Sequence, residues 1–377
     1  MEERKETTFT NTNVELIKTA LSNLEGKNNK IYFFCMDSKG VAMASIATIY
    51  EHAKILIELG YNAIILTEKA DYTRPDTWLG EGYEEIPHET AGGEEKDGGA
   101  VIGPQDFIII PEVYGGILPQ LSEANCEKII FVQSYDYIFE LMKPGETWGP
   151  HGVRKCITTT TSQENYIKGM FPNIQTSVIQ PHIPEYFNSQ VNLKKPFVAI
   201  LSRDPRDTSN FIKSFYVKHP FLKWITFRDM RGMSRKEFAD GLDECAIAVW
   251  VDSISSFGNF PIECMKSKVP VVGLVPDLTP EWLTEQNGIW TNNKLTLVDT
   301  TAGVMKNWLE DSIPQELYDE MEKTVALYST SIEAEQVALY YKNLFEERVE
   351  DLVKVLNKEI TAMEENHPET AETVENK

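Results

Sequence analysis

One stretch, residues 252–293, constrains the fold more than any other part of the chain, because strand, polar loop, helix and strand follow one another without spacers. The run AIAVWV, residues 246–251, leads into it and suits a strand buried on both faces. The loop contains small or polar residues, namely Ser255, Ser256, Gly258 and Asn259. Pro261 favours a first helical turn here, and Glu263 is expected in that turn. Together these residues predict an anion-binding loop at the start of a helix.

Strands and helices alternate on both sides of this stretch. The first half contains the apolar strands 31–36 and 61–67 with a helical pattern between them, and the second half restarts with the strand 196–201. Such alternation is typical of α/β proteins with parallel sheets. Because 377 residues exceed what one core usually covers, we expect two Rossmann-like domains, residues 1–190 and 195–330.

Three further segments lie outside this alternation. Residues 71–103 contain prolines, several glycines and an acidic majority, so we expect an acidic, solvated excursion from the first domain. Residues 331–362 repeat apolar side chains at helical spacing, which predicts a long amphipathic helix. Residues 363–377 form an acidic tail with almost nothing to bury, and this tail is predicted to be disordered.

The charge balance and the hydropathy restrict the classes of partner. The chain has 36 basic and 58 acidic side chains, a net charge of −22, and no basic patch is evident along it. Nucleic acid is therefore disfavoured as a direct partner, although a locally positive cleft stays open. No run approaches the ~20 apolar residues of a membrane span, and the polar start has no signal core, so we expect a cytoplasmic protein.

Cysteine and histidine spacing gives no sign of a metal site. The five cysteines are scattered and never form a Cys-x-x-Cys pair, and the six histidines show no ligand pattern. We expect buried thiols and no bound metal or cofactor.

The run SSFGNFPIE, residues 255–263, resembles the donor-binding signature of the family 4 (group 1) retaining glycosyltransferases, which have the GT-B fold. In that family a Glu, Gly-Phe-Gly, an apolar residue, Pro and a second Glu follow in order. Glu263 matches the second Glu, whereas the first, eight positions earlier, is Ser255 here. The resemblance covers roughly residues 31–293. It implies two Rossmann-like domains facing across a cleft, with a terminal helix that returns to the first domain.

The resemblance also implies donor-binding roles in the second domain. Glu263 would accept hydrogen bonds from the ribose hydroxyls and is expected to be catalytic, although a carboxylate also simply suits a helix start. The donor-binding loop would include Ser255, Ser256, Phe257, Gly258 and Asn259, and the last three would offer backbone amides to the diphosphate at the helix start. Arg203 matches the family's diphosphate arginine, while the usual Lys is missing. Arg206 is either its substitute or a surface partner of Asp204 or Asp207.

First-domain candidates follow the ends of predicted strands, which face the ligand crevice in open α/β sheets. Lys39 and Gly40 match a loop near the diphosphate and acceptor, although any strand-to-helix turn favours Gly. Asp136 matches the family's His or Asp near the transferred sugar and is predicted to be catalytic, the alternative being an ordinary solvent-facing loop Asp. Glu112 is a similar candidate in the acceptor loop.

The resemblance implies a metal-independent, retaining hexosyltransferase. It would move a sugar from a UDP- or GDP-sugar, bound by the second domain, to a hydroxyl acceptor at the first. Ser255 leaves open a GT-B-like binding or scaffold protein with weakened catalysis. A further alternative is a phage-type sugar transferase acting on a modified DNA base. The sequence specifies neither the sugar nor the acceptor nor the oligomeric state.

Overall fold

The computed structural model describes residues 14–24, 26–91, 99–122, 124, 126–140, 142–188, 194–254 and 257–366, with side chains up to residue 362. Two predicted donor-loop residues, Ser255 and Ser256, lie outside these residues. So do most of the predicted tail, from residue 367, and most of the predicted domain boundary, residues 189–193.

The first domain is built on a seven-stranded parallel sheet in the order β3-β2-β1-β4-β5-β6-β7. Its strands are β1 (Lys30–Cys35), β2 (Asn62–Thr67), β3 (His88–Thr90), β4 (Phe107–Pro111), β5 (Glu127–Val132), β6 (Val153–Thr158) and β7 (Gln175–Val178). Its helices are α1 (14–24), α2 (Ala44–Glu58), α3 (Asp76–Leu79) and α4 (Thr161–Met170). Alternate residues of β1 enter two separate apolar cores, so helices or loops cover both faces of the sheet.

The second domain is built on a five-stranded parallel sheet in the order β12-β11-β10-β8-β9. Its strands are β8 (Lys195–Leu201), β9 (Thr226–Asp229), β10 (Cys245–Trp250), β11 (Val271–Leu274) and β12 (Ile289–Thr291). Its helices are α5 (Pro205–Lys218), α6 (Arg235–Asp243), α7 (Asn259–Lys266), α8 (Lys294–Leu309) and α9 (Gln315–Ala326). All six residues of β10 are buried, as its apolar sequence predicts for a central strand. The predicted α/β class is confirmed.

The long C-terminal helix α10 (Thr330–Asn366) packs against the first domain. Its apolar face, which includes Val337, Tyr341 and Leu344, belongs to the same core as β1 and α2. Phe345 stacks on Phe107 of β4, with ring centroids 5.1 Å apart. The chain therefore leaves the first domain before β8 and returns to it after α9.

The two crossing segments are bonded to each other. The backbone N–H of Ile183 donates to the carbonyl of Tyr328 at 2.9 Å. The carboxylate of Glu333 accepts from the backbone N–H of His182 at 2.8 Å and lies 2.5 Å from the imidazole Nδ1. These contacts hold the segment that leaves the first domain against the segment that returns to it.

The acidic excursion is more structured than the sequence suggests. Its described part contains α3 and the edge strand β3, and it buries Trp78, Leu79 and Ile86. His88 of β3 bonds through Nε2 to the Tyr50 hydroxyl at 2.7 Å. The expectation of a wholly solvated loop is thus corrected, because a few apolar anchors spread among charged residues give no periodic signal. Residues 92–98 of the excursion lie outside the described part.

None of the described helices combines the length and the apolar character needed to cross a membrane. The five cysteines are all buried free thiols, as expected from their apolar neighbours.

His52 is a buried, uncharged histidine in the first core. Its ring lies 5.3 to 5.6 Å from the rings of Phe33, Phe131 and Tyr341, and among the described residues neither nitrogen has a hydrogen-bond partner. Burial lowers the pKa of His52 to about 3. An unfolded chain takes up this proton at about pH 6.5, so the folded state loses stability as the pH falls below that value.

Replacing His52 with Leu should remove this acid sensitivity. Between about pH 6.5 and pH 4.5 we expect the unfolding free energy of the wild type to fall by about 2 kcal/mol more than that of the variant. Urea denaturation at several pH values measures the difference. Parallel pH profiles for the two proteins would contradict a neutral His52 in the core.

Candidate active site

Loops at the carboxyl ends of strands from both sheets meet in one cleft, the expected ligand position in this class of fold. The guanidinium of Arg203, after β8, lies with Nη1 3.2 Å from Oδ2 of Asp136 and 3.2 Å from Oγ of Ser134, both after β5. The Ser134 hydroxyl also donates to Asp136 at 2.5 Å. Two residues predicted from different domains are therefore in direct contact.

Asp252, which follows β10, positions the loop that carries Arg203 through two hydrogen bonds. Its Oδ1 accepts hydrogen bonds from the Ser202 hydroxyl at 2.7 Å and from the backbone N–H of Arg203 at 3.1 Å. Burial raises the pKa of Asp252. The Arg203 side chain also donates through Nη2 to the carbonyl of Ile254 in the next loop. Asp252 was not among the residues predicted to bind a ligand, although its position directly after an apolar strand indicates the cleft edge of the sheet.

The loop before α7 is shaped by a glycine set against tryptophans. Gly258 has φ of +76°, and a Cβ there would lie 3.0 Å from Trp250 and 3.1 Å from Trp282. The indole N–H of Trp282 donates to the carbonyl of Phe257 at 2.5 Å, and the Phe257 side chain is buried against Tyr328. Phe257 therefore anchors the loop. Helix α7 begins two residues later, at Asn259, and the backbone amides of its first turn have no partner within the helix.

Replacing Gly258 with Ala should disturb this loop more than an ordinary turn. A left-handed alanine costs about 1–2 kcal/mol, and the forced repacking of two indoles adds about 1–3 kcal/mol. Gly60→Ala is the matched control, because Gly60 has φ of +80° with open space around its Cβ. Chemical denaturation of both variants measures the difference. Equal losses of stability would show that the tryptophans tolerate the methyl group.

Glu263 lies one turn deeper in α7 than its sequence position suggests. The helix begins at Asn259, so Glu263 is its fifth residue rather than part of the first turn, and this corrects the expectation. The reason is local: Gly258 in the left-handed region lets the helix start two residues before Pro261. Asn259 thus supplies the first residue of the helix rather than a loop position.

Among the described residues, the Glu263 carboxylate accepts no hydrogen bond. Its side chain is only partly exposed, and no described residue donates a hydrogen bond to it. Burial raises the pKa of Glu263 to about 7, with Arg235 opposing the shift and Glu51 adding to it. Desolvation without hydrogen-bond partners is costly for a carboxylate, and such a group is suited to bind the hydroxyls of a ligand.

Arg235 and Glu51 form a second contact between the domains. Nη1 of Arg235, on α6, lies 2.5 Å from Oε1 of Glu51, on α2, and both side chains are largely buried. The Arg235 guanidinium also lies 5.9 Å from the ring of Tyr186. This pair was not predicted, since neither residue lies in a motif and no local sequence pattern indicates that the two side chains meet.

A third contact joins the loop after β11 to the first domain. The Glu281 carboxylate accepts from the backbone N–H of Thr161 at 3.1 Å, at the start of α4, and from the Gln180 side chain at 2.8 Å. Together with the Arg203 and Arg235 contacts, this holds the two domains against each other around the cleft.

Glu112 lies beneath the site rather than in it. It is 4% exposed and accepts hydrogen bonds from the backbone N–H groups of Gln133 at 3.1 Å and Ser134 at 2.8 Å. Burial raises the pKa of Glu112 to about 7. Its carboxylate therefore supports the loop that carries Asp136, which corrects the expectation that it belongs to an acceptor loop.

The other predicted cations are paired locally. Lys39 lies in the loop after β1 with Nζ 2.6 Å from Oδ2 of Asp37, and the neighbouring Gly40 has φ of +80° and faces open space. Arg206 is 85% exposed and pairs with Asp204 at 2.7 Å, which matches the surface alternative rather than the diphosphate role. Within the described ranges no cluster of His, Cys, Asp or Glu could hold a metal ion.

The chain is similar to known glycosyltransferases in sequence and in fold. No protein-family profile matches the chain. An alpha-1,6-glucosyltransferase of Actinobacillus pleuropneumoniae serotype 7 (strain AP76) is 22% identical over 255 residues, which cover 64% of this chain and 71% of that protein. Sucrose-phosphate synthase from Thermosynechococcus elongatus superposes with a TM-score of 0.59 at 14% identity, over 85% of this chain and 100% of the other.

Two further solved structures contain ligands. The pneumococcal O-GlcNAc transferase GtfA in complex with UDP and GlcNAc gives a TM-score of 0.61 at 10% identity, over 85% of this chain and 99% of that one. Anabaena HepE in complex with UDP and glucose gives 0.62 at 14% identity, over 84% and 100%. At such low identities these are likenesses of fold, and the fold is GT-B, as the sequence resemblance implied.

Proposed function

We propose that the protein is a metal-independent, retaining glycosyltransferase that moves a hexose from a UDP- or GDP-sugar to a hydroxyl acceptor. One observation carries the proposal: Arg203 contacts Asp136 of the first domain and the Ile254 carbonyl in the loop that leads to α7, the helix that carries Glu263. The named activity of the glucosyltransferase relative, and the UDP and glucose in the HepE structure, support UDP-glucose as the first donor to test.

The residues divide the work of binding the donor. The guanidinium of Arg203 and the free amides at the start of α7 would stabilise the negative charge that develops on the departing diphosphate. Glu263, farther along α7, would accept hydrogen bonds from the ribose hydroxyls. Asp136 reaches Arg203 from the opposite domain, so a sugar attached to the bound diphosphate would lie beside its carboxylate.

Asp136 is the candidate catalytic carboxylate in this arrangement. Glu112 fixes its loop by accepting two backbone hydrogen bonds, and Ser134 donates to the carboxylate itself. Such preorganisation suits a group that must orient a sugar or acceptor hydroxyl against the anomeric carbon. Lys39 and Gly40 lie on the loop after β1, where an acceptor could approach from the first domain.

A second candidate function is a binding or scaffold protein with weakened turnover. The observation that favours it is Ser255, because a hydroxyl stands where the resembling family has a carboxylate. Donor binding is common to both candidates, and release of sugar belongs only to the enzyme. The phage-type transferase acting on DNA is disfavoured by the net charge of −22.

Calorimetric titration of the wild-type protein with UDP, GDP and duplex DNA tests the proposal. We expect one of the nucleotides to bind and duplex DNA not to bind. If neither nucleotide binds at millimolar concentration, the proposed function fails. If a nucleotide binds but its sugar conjugate is never cleaved or transferred, the scaffold candidate replaces the enzyme.

A further inference from the structure

An exposed aromatic turn lies at the end of the second domain opposite to the cleft. The turn joins the C-terminus of α5 to the amino end of the edge strand β9. Its side chains project into solvent: Val217 is 83% exposed, Phe221 91% and Trp224 52%. We call these residues, together with Lys213 and Lys223, the aromatic–lysine turn. Single exposed apolar residues are common, but three within eight positions form a patch that needs an explanation.

The backbone that carries this turn is ordered. The N–H of His219 donates to the carbonyl of Phe215 at 2.8 Å, and the N–H of Ile225 to that of Leu222 at 3.0 Å. The hydroxyl of Tyr216 donates to the Ile225 carbonyl at 2.6 Å, which ties the end of α5 to the start of β9. The aromatic rings are therefore held outward by fixed backbone and are not the result of a frayed end.

The same surface is basic in an otherwise acidic protein. Residues 213–224 contain three lysines and no acidic residue, although the chain has a net charge of −22. Lys218 and His219 are offset by Asp299, whereas among the described ion pairs none involves Lys213 or Lys223. Lys213 and Val217 are one helical turn apart and so lie side by side. The wide spacing of these lysines along the sequence hid the patch from sequence analysis.

We propose that the aromatic–lysine turn docks the protein on an anionic membrane surface. Aromatic side chains are favoured at the boundary between lipid headgroups and acyl chains, and lysines near an anionic leaflet add electrostatic attraction. The turn projects a few apolar side chains from a rigid base, which suits shallow insertion into a lipid interface. Docking here leaves the cleft at the opposite strand ends open, so the inference stands independently of the proposed function.

Flotation with vesicles tests the docking. Phosphatidylcholine vesicles are compared with mixed phosphatidylcholine–phosphatidylglycerol vesicles, using the wild type, Phe221→Ser, Trp224→Ser and the double variant Lys213→Glu with Lys223→Glu. Leu339→Ser is the matched control, because Leu339 is a 62% exposed apolar residue on α10, outside the turn. Thermal unfolding of each variant verifies that it is folded.

We expect wild type and Leu339→Ser to float only with the anionic vesicles, and added salt to weaken that binding. Reversing both lysine charges should weaken binding at least about 25-fold, about fivefold for each lysine, and each single aromatic substitution should also weaken it at least about fivefold. Absence of binding to anionic vesicles, or equal binding by the folded aromatic variants, would overturn the proposal. So would a wild-type dimer that becomes monomeric in Phe221→Ser, because the turn would then contact a second copy of the chain.

Discussion

Glu263→Gln should bind the nucleoside diphosphate roughly ten- to a hundredfold more weakly than the wild type, while being more stable than the wild type above about pH 7. The loss of affinity follows because hydrogen bonds from the ribose hydroxyls to a charged acceptor are stronger than those to an amide. The gain in stability follows because the folded protein no longer has to ionise a desolvated carboxylate.

The pH dependence has a definite sign. The folded-state pKa of Glu263 is raised by burial to about 7, whereas the unfolded chain releases this proton near pH 4.3. The folded state therefore holds an extra proton between these values, and wild-type stability falls as the pH rises through this window. Since the side chain is partly exposed, we expect the variant to gain about 2 kcal/mol at pH 8 and much less at pH 4.

Glu112→Gln provides the matched control for this prediction. Burial raises the pKa of Glu112 to about 7 as well, but its carboxylate accepts two backbone hydrogen bonds. The amide nitrogen of Gln would face one of these backbone N–H groups, donor against donor, so we expect Glu112→Gln to lose stability where Glu263→Gln gains it. Calorimetry and chemical denaturation of both variants measure affinity and stability separately. A destabilised Glu263→Gln with unchanged nucleotide affinity would show that the carboxylate serves the fold and not the ligand.

Arg203→Ala should lower kcat/KM by about a hundred- to a thousandfold, as is typical when one donor to a developing negative charge is removed. Arg203 contacts both Asp136 of the first domain and the Ile254 carbonyl in the loop before α7. Arg206→Ala is the matched control, since Arg206 is an exposed arginine on the same loop that pairs only with Asp204. Equal kinetic losses in the two variants would contradict the assignment of the diphosphate to Arg203.

Asp136→Asn should affect nucleotide binding and sugar transfer in opposite directions, because it removes the carboxylate that contacts Arg203. The carboxylate lies 3.2 Å from the guanidinium, so the diphosphate must compete with it for Arg203. We expect the variant to bind the free nucleotide severalfold more tightly and to lose most of its transfer rate. Weaker nucleotide binding, or unchanged turnover, would remove Asp136 from the catalytic role.

Sequence alone predicted those parts of the fold that depend on local pattern. The fully apolar run of β10 and the helical periodicity of α10 each indicated an element that the structure contains, and Pro261 indicated a helix after β10, where α7 lies. The family resemblance, together with their positions after predicted strands, made Asp136 and Arg203 candidates, because parallel strands place their following loops at one edge of a sheet. That the two residues touch across the cleft could not be read from either half of the chain.

The rest of the site depends on contacts between residues that are far apart in the sequence, and no local sequence pattern predicts them. The Arg235–Glu51 pair joins helices of different domains, and Glu112 acts from beneath a neighbouring strand. Glu263 is the fifth residue of its helix rather than part of the first turn, because the positive φ of Gly258 sets the helix start. Residue spacing alone does not predict such a backbone conformation. Burial raises the pKa of Glu263, Glu112 and Asp252, and burial is established only when the chain is packed.

The release of nucleoside diphosphate from a nucleotide sugar tests the central claim most directly. Purified wild type and Arg203→Ala are incubated with UDP- and GDP-sugars, starting with UDP-glucose and a panel of hydroxyl acceptors, and the freed nucleotide and the sugar product are quantified. The proposed function predicts that wild type releases the nucleotide from one donor and transfers or hydrolyses its sugar, and that Arg203→Ala does so at least about a hundredfold more slowly. A wild-type protein that neither binds nor cleaves any of these donors would contradict it.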